Sequence, residues 1–375
     1  MAEKPPSSPS GARPQVGYYV HHHGHGHWRR AQAIAEHLDC PVTLIGSALP
    51  ALPAPLQRLD LPGDTAPDMH VEHFATLHYA PLGVDGLRER MALLAQWMRD
   101  HWPCLLVVDV SVEVALLARL LGVPTVYIRQ HGQRDDPAHR QAYACASALL
   151  APWPAFMESL DQDSAVQAMD DGHAERARIV QRTQYSGWLS RYPDGRDAVA
   201  QAGRVLVIIG QGGTAIGASQ LYAMAKACPQ YRFRVMGLAP GSLAGHPGVC
   251  PDNVVDLGQV PDPFDELCRA EVVIGSAGDG VVGEVASLGC RYVAIAESRP
   301  FDEQRQQARR LNALGLAVGL QGWPNAEHWP QLLAQARALD PIQWQRGGPQ
   351  AQSAAQAAGI IQASLHQLFV SSPGS

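Results

Sequence analysis

The amino-acid sequence predicts an α/β protein of two Rossmann-like domains facing a central cleft. Three observations carry that prediction. Short apolar runs ending in Gly, Asp or Pro alternate with longer segments of helical period; the alternation breaks once, at Tyr192-Pro-Asp-Gly-Arg196, and restarts; and glycine-rich turns follow directly after several apolar runs. In the first half, strands are expected at 16–20, 42–45, 105–109 and 125–128, with helices near 28–38, 85–100 and 111–121. In the second, strands are expected at 205–209, 233–236, 254–257, 272–274 and 292–295, with helices from about 219 and over 279–288. Such β-α-β units build parallel sheets covered by helices, with ligand sites at the carboxyl ends of the strands. The expected organisation is a disordered lead-in over 1–15, a first domain over 16–190, a linker over 191–202, a second domain over 203–345 and a closing segment over 346–375. The Ala-, Gln- and Leu-rich pattern at 350–369 reads as a helix returning toward the first domain.

Composition narrows the function. The chain has 375 residues, 46% hydrophobic and 17% charged, enough for two packed domains. Its net charge of -6, without long like-sign runs, offers no basic face for nucleic acid. The most apolar region, 105–128, contains Asp109, Glu113 and Arg119, which argues against a membrane span. The Pro- and Ser-rich first fifteen residues lack the apolar centre of a signal peptide. Seven scattered cysteines, never in a CxxC pair, read as reduced and mostly packed. These features point to the cytoplasm, either free or peripheral at the inner membrane face.

The stretch "VHHHGHGHW", Val20 to Trp28, holds five of the chain's 16 histidines and lies on the turn between the first strand and the first helix, a ligand-facing position. After the strand "VLVIIG", Gly212, Gly213 and Thr214 offer backbone N–H groups and a hydroxyl to an anion such as a diphosphate. After "VVIG", Ser276, Gly278 and Gly280 open a second helix whose N-terminal partial charge also favours phosphate. Eight residues past Ser276, Glu284 could accept both hydroxyls of a ribose; the plainer reading is a solvated helix glutamate.

The segment "SAGDGVVGEVASLGCRYVAIAESRPFDEQRQQARRL" resembles the donor-site signature of GT-B nucleotide-sugar glycosyltransferases, particularly the UDP-glycosyltransferases and the lipid-linked N-acetylglucosaminyltransferase of cell-wall synthesis. The resemblance implies that Glu284 holds the ribose, that Ser276, Gly278 and Asp279 face the diphosphate, and that Glu303 and Gln304 grip the donor sugar. In the front half, "GHWRRAQAIAEHL" and "LLVVDVSVEVALLARLLGVPTV" look like the family's first helix and the strand whose terminal Asp orients a catalytic histidine. His27 and Asp109 occupy those positions. The chain departs from the family in having Ser276 where many members place a phosphate-binding His, and Asp279 as an extra negative charge beside that loop. Gln259 stands near the position of the uracil-stacking aromatic of plant members, which moves base recognition to backbone groups around Val260. The implied donor is a UDP-sugar.

Sugar transfer with inversion needs a base for the acceptor hydroxyl's proton and stabilisation for the departing diphosphate. A histidine suits the first task, and an Asp on its other ring nitrogen would fix the tautomer. His27 with Asp109 fits, and helix amides supply the second without a metal. A metal reading of the histidine run needs three or four converging ligands, yet residues 21–23 alternate faces as a strand does, leaving His25 and His27 to share an ion. A tag reading fails because glycines interleave the run inside a β-α unit. In the loop "RQHGQRDDPAH", Arg129 and His131, together with His25, are candidates for the acceptor side; the roles of His21, His22 and His23 stay open. The expected activity is a metal-independent, inverting hexosyltransferase that joins a nucleotide-sugar donor and a hydroxyl acceptor, small or lipid-linked, with no cofactor. Two alternatives remain at this level: a non-hydrolysing nucleotide-sugar epimerase, and a non-catalytic nucleotide-sugar-binding homologue.

Overall fold

A computed structural model describes residues 13–21, 25–158, 171–192, 194–195, 199–210, 214, 216–239, 241–243, 250–348 and 352–369. Most of the expected lead-in, His22, His23, Gly212 and Gly213 lie outside the described residues.

The first half contains β1 (Gln15–Tyr19), α1 (His25–Ala35), β2 (Val42–Gly46), β3 (Gln57–Asp60), α2 (Asp85–Asp100), β4 (Cys104–Asp109), α3 (Val112–Leu120), β5 (Thr125–Ile128), α4 (Pro137–Cys145), β6 (Ala148–Ala151), α5 (Asp171–Arg182) and β7 (Thr183–Tyr185). The second contains β8 (Gln201–Ile208), α6 (Ala218–Ala227), β9 (Arg232–Met236), β10 (Val254–Asp256), α7 (Phe264–Arg269), β11 (Ala270–Ser276), α8 (Asp279–Ser287), β12 (Tyr292–Ile295), α9 (Glu303–Ala313), β13 (Val318–Leu320) and α10 (Trp329–Ala338). A last helix, α11 (Ser353–Phe369), closes the described chain.

Both sheets are parallel, in the orders β3-β2-β1-β4-β5-β6-β7 and β10-β9-β8-β11-β12-β13. Strands buried on both faces need near-continuous apolar sequence, which β4 supplies as Cys104-Leu-Leu-Val-Val-Asp109. Its alternation splits the core: Leu106 and Val108 pack with Trp97 and Ala115, while Leu105 and Val107 pack with Val16 and Ile34. Ala357 and Ile361 of α11 join that second cluster, so the last helix lies on the first domain. In the second sheet Val205 and Val207 pack with Leu221 and Trp329, while Leu206 and Ile208 pack with Val285, Trp344, Trp188 and Tyr192.

The segment expected to be a linker is partly built into the second domain. Tyr192 is buried in that core, Gly195 N–H donates to the Ser287 carbonyl at 2.8 Å, and β8 already begins at Gln201. Gly283 of α8 explains the close fit: a Cβ there would come within 2.0 Å of the Leu189 carbonyl oxygen. In each sheet the strand order reverses between adjacent strands, β1 and β4 in the first and β8 and β11 in the second. These two switch points are where an open parallel sheet binds ligands.

Candidate functional site

His27 sits in the first turn of α1, directly after β1, and Asp109 ends the neighbouring strand β4. His27 Nδ1 lies 3.0 Å from Asp109 Oδ2. One turn further along α1, Arg30 projects from the same face, and its Nη2 donates to Asp109 Oδ1 and Oδ2 at 2.7 and 2.9 Å. Gln130 Nε2 donates to Oδ1 at 3.0 Å. The carboxylate is fully buried; desolvation alone would raise its pKa, but the Arg30 guanidinium and His27 outweigh that and hold it well below the usual carboxylate range. It is therefore an anion throughout the working range. Arg30 Nη2 also lies 2.9 Å from His27 Nδ1. An arginine N–H can only donate, so with Nδ1–H directed at Asp109 the two donors share one carboxylate, and Nε2 is the nitrogen left to accept a proton. The His27 side chain retains 21% exposure. The His21 ring meets His27 edge-on at 5.4 Å.

Local backbone holds Asp109 in place. Val110 adopts φ +84°, rare for a β-branched residue, and the Tyr127 hydroxyl donates to its carbonyl. Ser111 then caps α3, its side chain accepting from Val114 N–H at 3.3 Å.

Across the cleft, Gly278 caps α8 and Asp279 is its first residue. Asp279 faces the other domain: Oδ2 accepts from Arg30 Nη1 at 3.2 Å, and Oδ1 accepts from Gln307 Nε2 at 3.1 Å. One guanidinium thus spans from Asp109 to the start of α8. Ser276 ends β11 and its Oγ stands close to both Gly210 and Gly278. Thr214 Oγ1 donates to Glu297 Oε1 at 2.6 Å, while Glu297 N–H donates to Gln304 Oε1 at 3.0 Å, linking the loops after β8 and β12 to the start of α9. Gly280 lies in the first turn of α8. Before Glu303, Phe301 and Asp302 are left-handed, at φ +60° and +52°. Glu303 pairs with Arg134 of the first domain at 3.1 Å; burial, together with Asp279, still pushes its pKa up. Gly132 makes the backbone approach possible: at φ +99°, a Cβ there would lie 2.5 Å from the Phe301 carbonyl oxygen. Gln133 N–H donates to that oxygen at 2.7 Å.

Glu284 lies on α8 two turns from Ser276, only 9% exposed, and takes Arg191 Nε at 2.8 Å. Burial raises its pKa despite Arg191 and Arg29. Val260 is half-buried in the loop after β10, where Gln259 Nε2 donates to the Gly237 and Leu238 carbonyls at 3.1 Å each. After β5, Arg129 pairs with Glu158 at 3.2 Å and lines a pocket. His131, expected along the cleft, is buried where the two halves meet, its Nε2 3.5 Å from Asp279 Oδ1. It is 1% exposed and stacked on Trp153 at 4.0 Å, and burial with Arg310, Arg129 and Arg134 around it keeps it neutral. His25 begins α1. Among the described residues no three His, Cys, Asp or Glu are grouped as metal ligands.

Sequence reasoning missed Arg30, Gln130, Gln307 and Glu297. Arg30 follows His27 by one helical turn, a spacing that could have flagged it; the others carry no sequence signal.

Two parallel Rossmann-like sheets with polar residues gathered at both switch points across one cleft define the GT-B class of fold. Comparison with solved structures agrees. CalG4, the calicheamicin glycosyltransferase, aligns with TM-score 0.62 at 16% identity, over 95% of this chain and 99% of its own. MurG of Acinetobacter baumannii aligns at 0.60 and 15%, over 94% and 99%. UGT89C1 of Arabidopsis thaliana complexed with UDP aligns at 0.63 and 14%, over 94% and 100%. No family model and no curated protein sequence matches the chain.

Proposed function

We propose that the protein is an inverting glycosyltransferase that moves a sugar from a UDP-sugar to an acceptor hydroxyl. The observation that carries this reading is the reach of Arg30: one side chain touches Asp109 beside His27 and Asp279 at the start of α8. The base and the diphosphate end of the donor thus fall within one residue's span. His27 Nε2 takes the acceptor's hydroxyl proton as that oxygen bonds to the anomeric carbon. The bond from that carbon to the diphosphate oxygen breaks, and the diphosphate leaves with the electron pair. Asp109 orients the ring and steadies the imidazolium. The N–H groups at the start of α8 and the Ser276 hydroxyl meet the leaving charge, while Arg30 neutralises Asp279 there. Glu284 receives the ribose hydroxyls, and Glu303 and Gln304 receive those of the sugar. A UDP-bound UGT89C1 with the same fold supports the choice of nucleotide.

A thermal-shift panel of nucleotide sugars and nucleoside diphosphates tests the reading. A donor at a hundred times its dissociation constant should stabilise the protein by about 2.7 kcal/mol. UDP and UDP-sugars should lead the panel. A flat response to every nucleotide would overturn the proposal.

A further inference from the structure

The loop after β5 and the helices α4, α5 and α9 line an open pocket of about 90 Å³ whose wall carries five arginines, Arg129, Arg134, Arg140, Arg176 and Arg310, against Asp135, Glu158 and Glu175. Each of those acids already holds a guanidinium: Glu158 that of Arg129 at 3.2 Å, Asp135 that of Arg176 at 3.2 Å, Glu175 that of Arg178 at 3.4 Å. Arg134 is engaged by Glu303, and Arg310 contacts His131 Nδ1 at 3.3 Å. Arg140 on α4 has no carboxylate partner among the described residues, and its Nε, like that of Arg129, is buried without a hydrogen bond. A guanidinium has donors only, and a buried unpartnered donor carries a desolvation cost that an oxyanion would relieve. Tyr143 adds a phenol to the same wall, kept protonated because burial pushes its pKa up. Gln130 lines the pocket and donates to Asp109 Oδ1 at 3.0 Å, so a single side chain separates this wall from the His27–Asp109 pair.

We infer that this pocket binds the phosphate or carboxylate group of the acceptor, with Arg140 as its principal anchor and Arg129 and Tyr143 beside it. The acceptor class is then an anionic hydroxyl compound. Its assignment as an acceptor site rests on the transferase reading; the anion site itself does not.

Calorimetric titration of inorganic phosphate into the full chain tests the anion site, with UDP saturating so that phosphate is kept from the proposed diphosphate loops. Wild type should bind one phosphate, and Arg140→Met should weaken it by about tenfold or more, as expected for a lost charge-assisted hydrogen bond, with UDP affinity unchanged. Arg140→Gln, which keeps hydrogen-bonding polarity without the charge, guards against a misfolded variant and should show the same loss. No phosphate binding by wild type, or binding as tight as wild type in both variants, overturns the site. Arg140-dependent phosphate binding in a protein that ignores UDP would leave the site standing and remove the donor reading. Matched hydroxyl compounds with and without a phosphate or carboxylate, offered with UDP-sugars, then test the acceptor assignment. Only the charged members should release UDP, and Arg140→Gln should lose that release. Equal release from the neutral members would make the pocket a free-anion site and overturn the assignment.

Discussion

At the switch point of the first sheet, β1 and β4 deliver ionisable side chains: His27, Arg30 and a fully buried Asp109. At that of the second, β8 and β11 deliver Thr214, Ser276 and the amides that open α8. On the proposed reading, one topology carries two kinds of chemistry. A proton-transfer group must be held in one tautomer, which requires a buried, fully partnered charge. A leaving diphosphate needs many weak donors, which backbone supplies whatever the side chains are. Substitutions should therefore strike the first switch point harder than the second.

The largest expected effect is at the His27–Asp109 pair. His27→Ala should lose on the order of 10² to 10⁴ in turnover with UDP affinity unchanged. Asp109→Asn should do comparable harm, and the double variant should be little worse than either single one. Additive losses in steady-state kinetics would break the unit. Next comes Arg30→Met, which leaves Asp109 buried without its cation and should cost about 3–5 kcal/mol in urea unfolding at neutral pH. The sign with pH is fixed. In wild type the depressed Asp109 contributes stability that is present above its unfolded pKa, about 3.9, and lost as pH falls through the folded value. The gap between wild type and Arg30→Met should be widest near neutrality and narrow in acid.

The second switch point should respond more mildly. Glu284→Ala should weaken UDP by about tenfold to a hundredfold, the worth of one charge-assisted hydrogen bond. Because the Glu284 pKa is raised, wild-type UDP affinity should start to fall in acid above the range near 4.3 where an ordinary glutamate titrates, while the Ala variant loses that limb. A 2′-deoxy donor sharpens the comparison: wild type should discriminate against it and Glu284→Ala should not. At the domain contact, Gly132→Ala puts a side chain at φ +99° against the Phe301 carbonyl and should cost about 1–3 kcal/mol by calorimetric melting. The smallest effect is none: EDTA should leave turnover intact. Stoichiometric zinc lost together with activity would restore a metal role to the histidine run.

What the sequence made legible follows the same division. Buried parallel strands such as β4 announce themselves by continuous apolar residues, and the glycine turns that follow them mark the loops. The edge strands β3, Gln-Arg-Leu-Asp, and β7, Thr-Gln-Tyr, carry no such pattern, because their neighbours in the sheet make them strands. Of the site, His27, Asp109, Ser276 and Glu284 stand next to recognisable strand ends or turns. Arg30 looks like an ordinary helix charge in "HWRRAQ", since its burial comes from β4 and α8, over 70 residues away in the chain. Asp279 is an unexpected charge beside a glycine loop in the sequence, because its partner Arg30 stands on the other domain. Tyr192 read as part of a loose turn because its buried ring depends on the second core.

The most direct test of the central claim is release of UDP from UDP-sugars, with and without a panel of hydroxyl acceptors, in wild type and His27→Ala. The expected result is release that requires an acceptor in wild type and falls by about 10² or more in His27→Ala, whose UDP affinity is unchanged. Isomerised donor without an acceptor, UDP binding with no release, or full release by His27→Ala would contradict it.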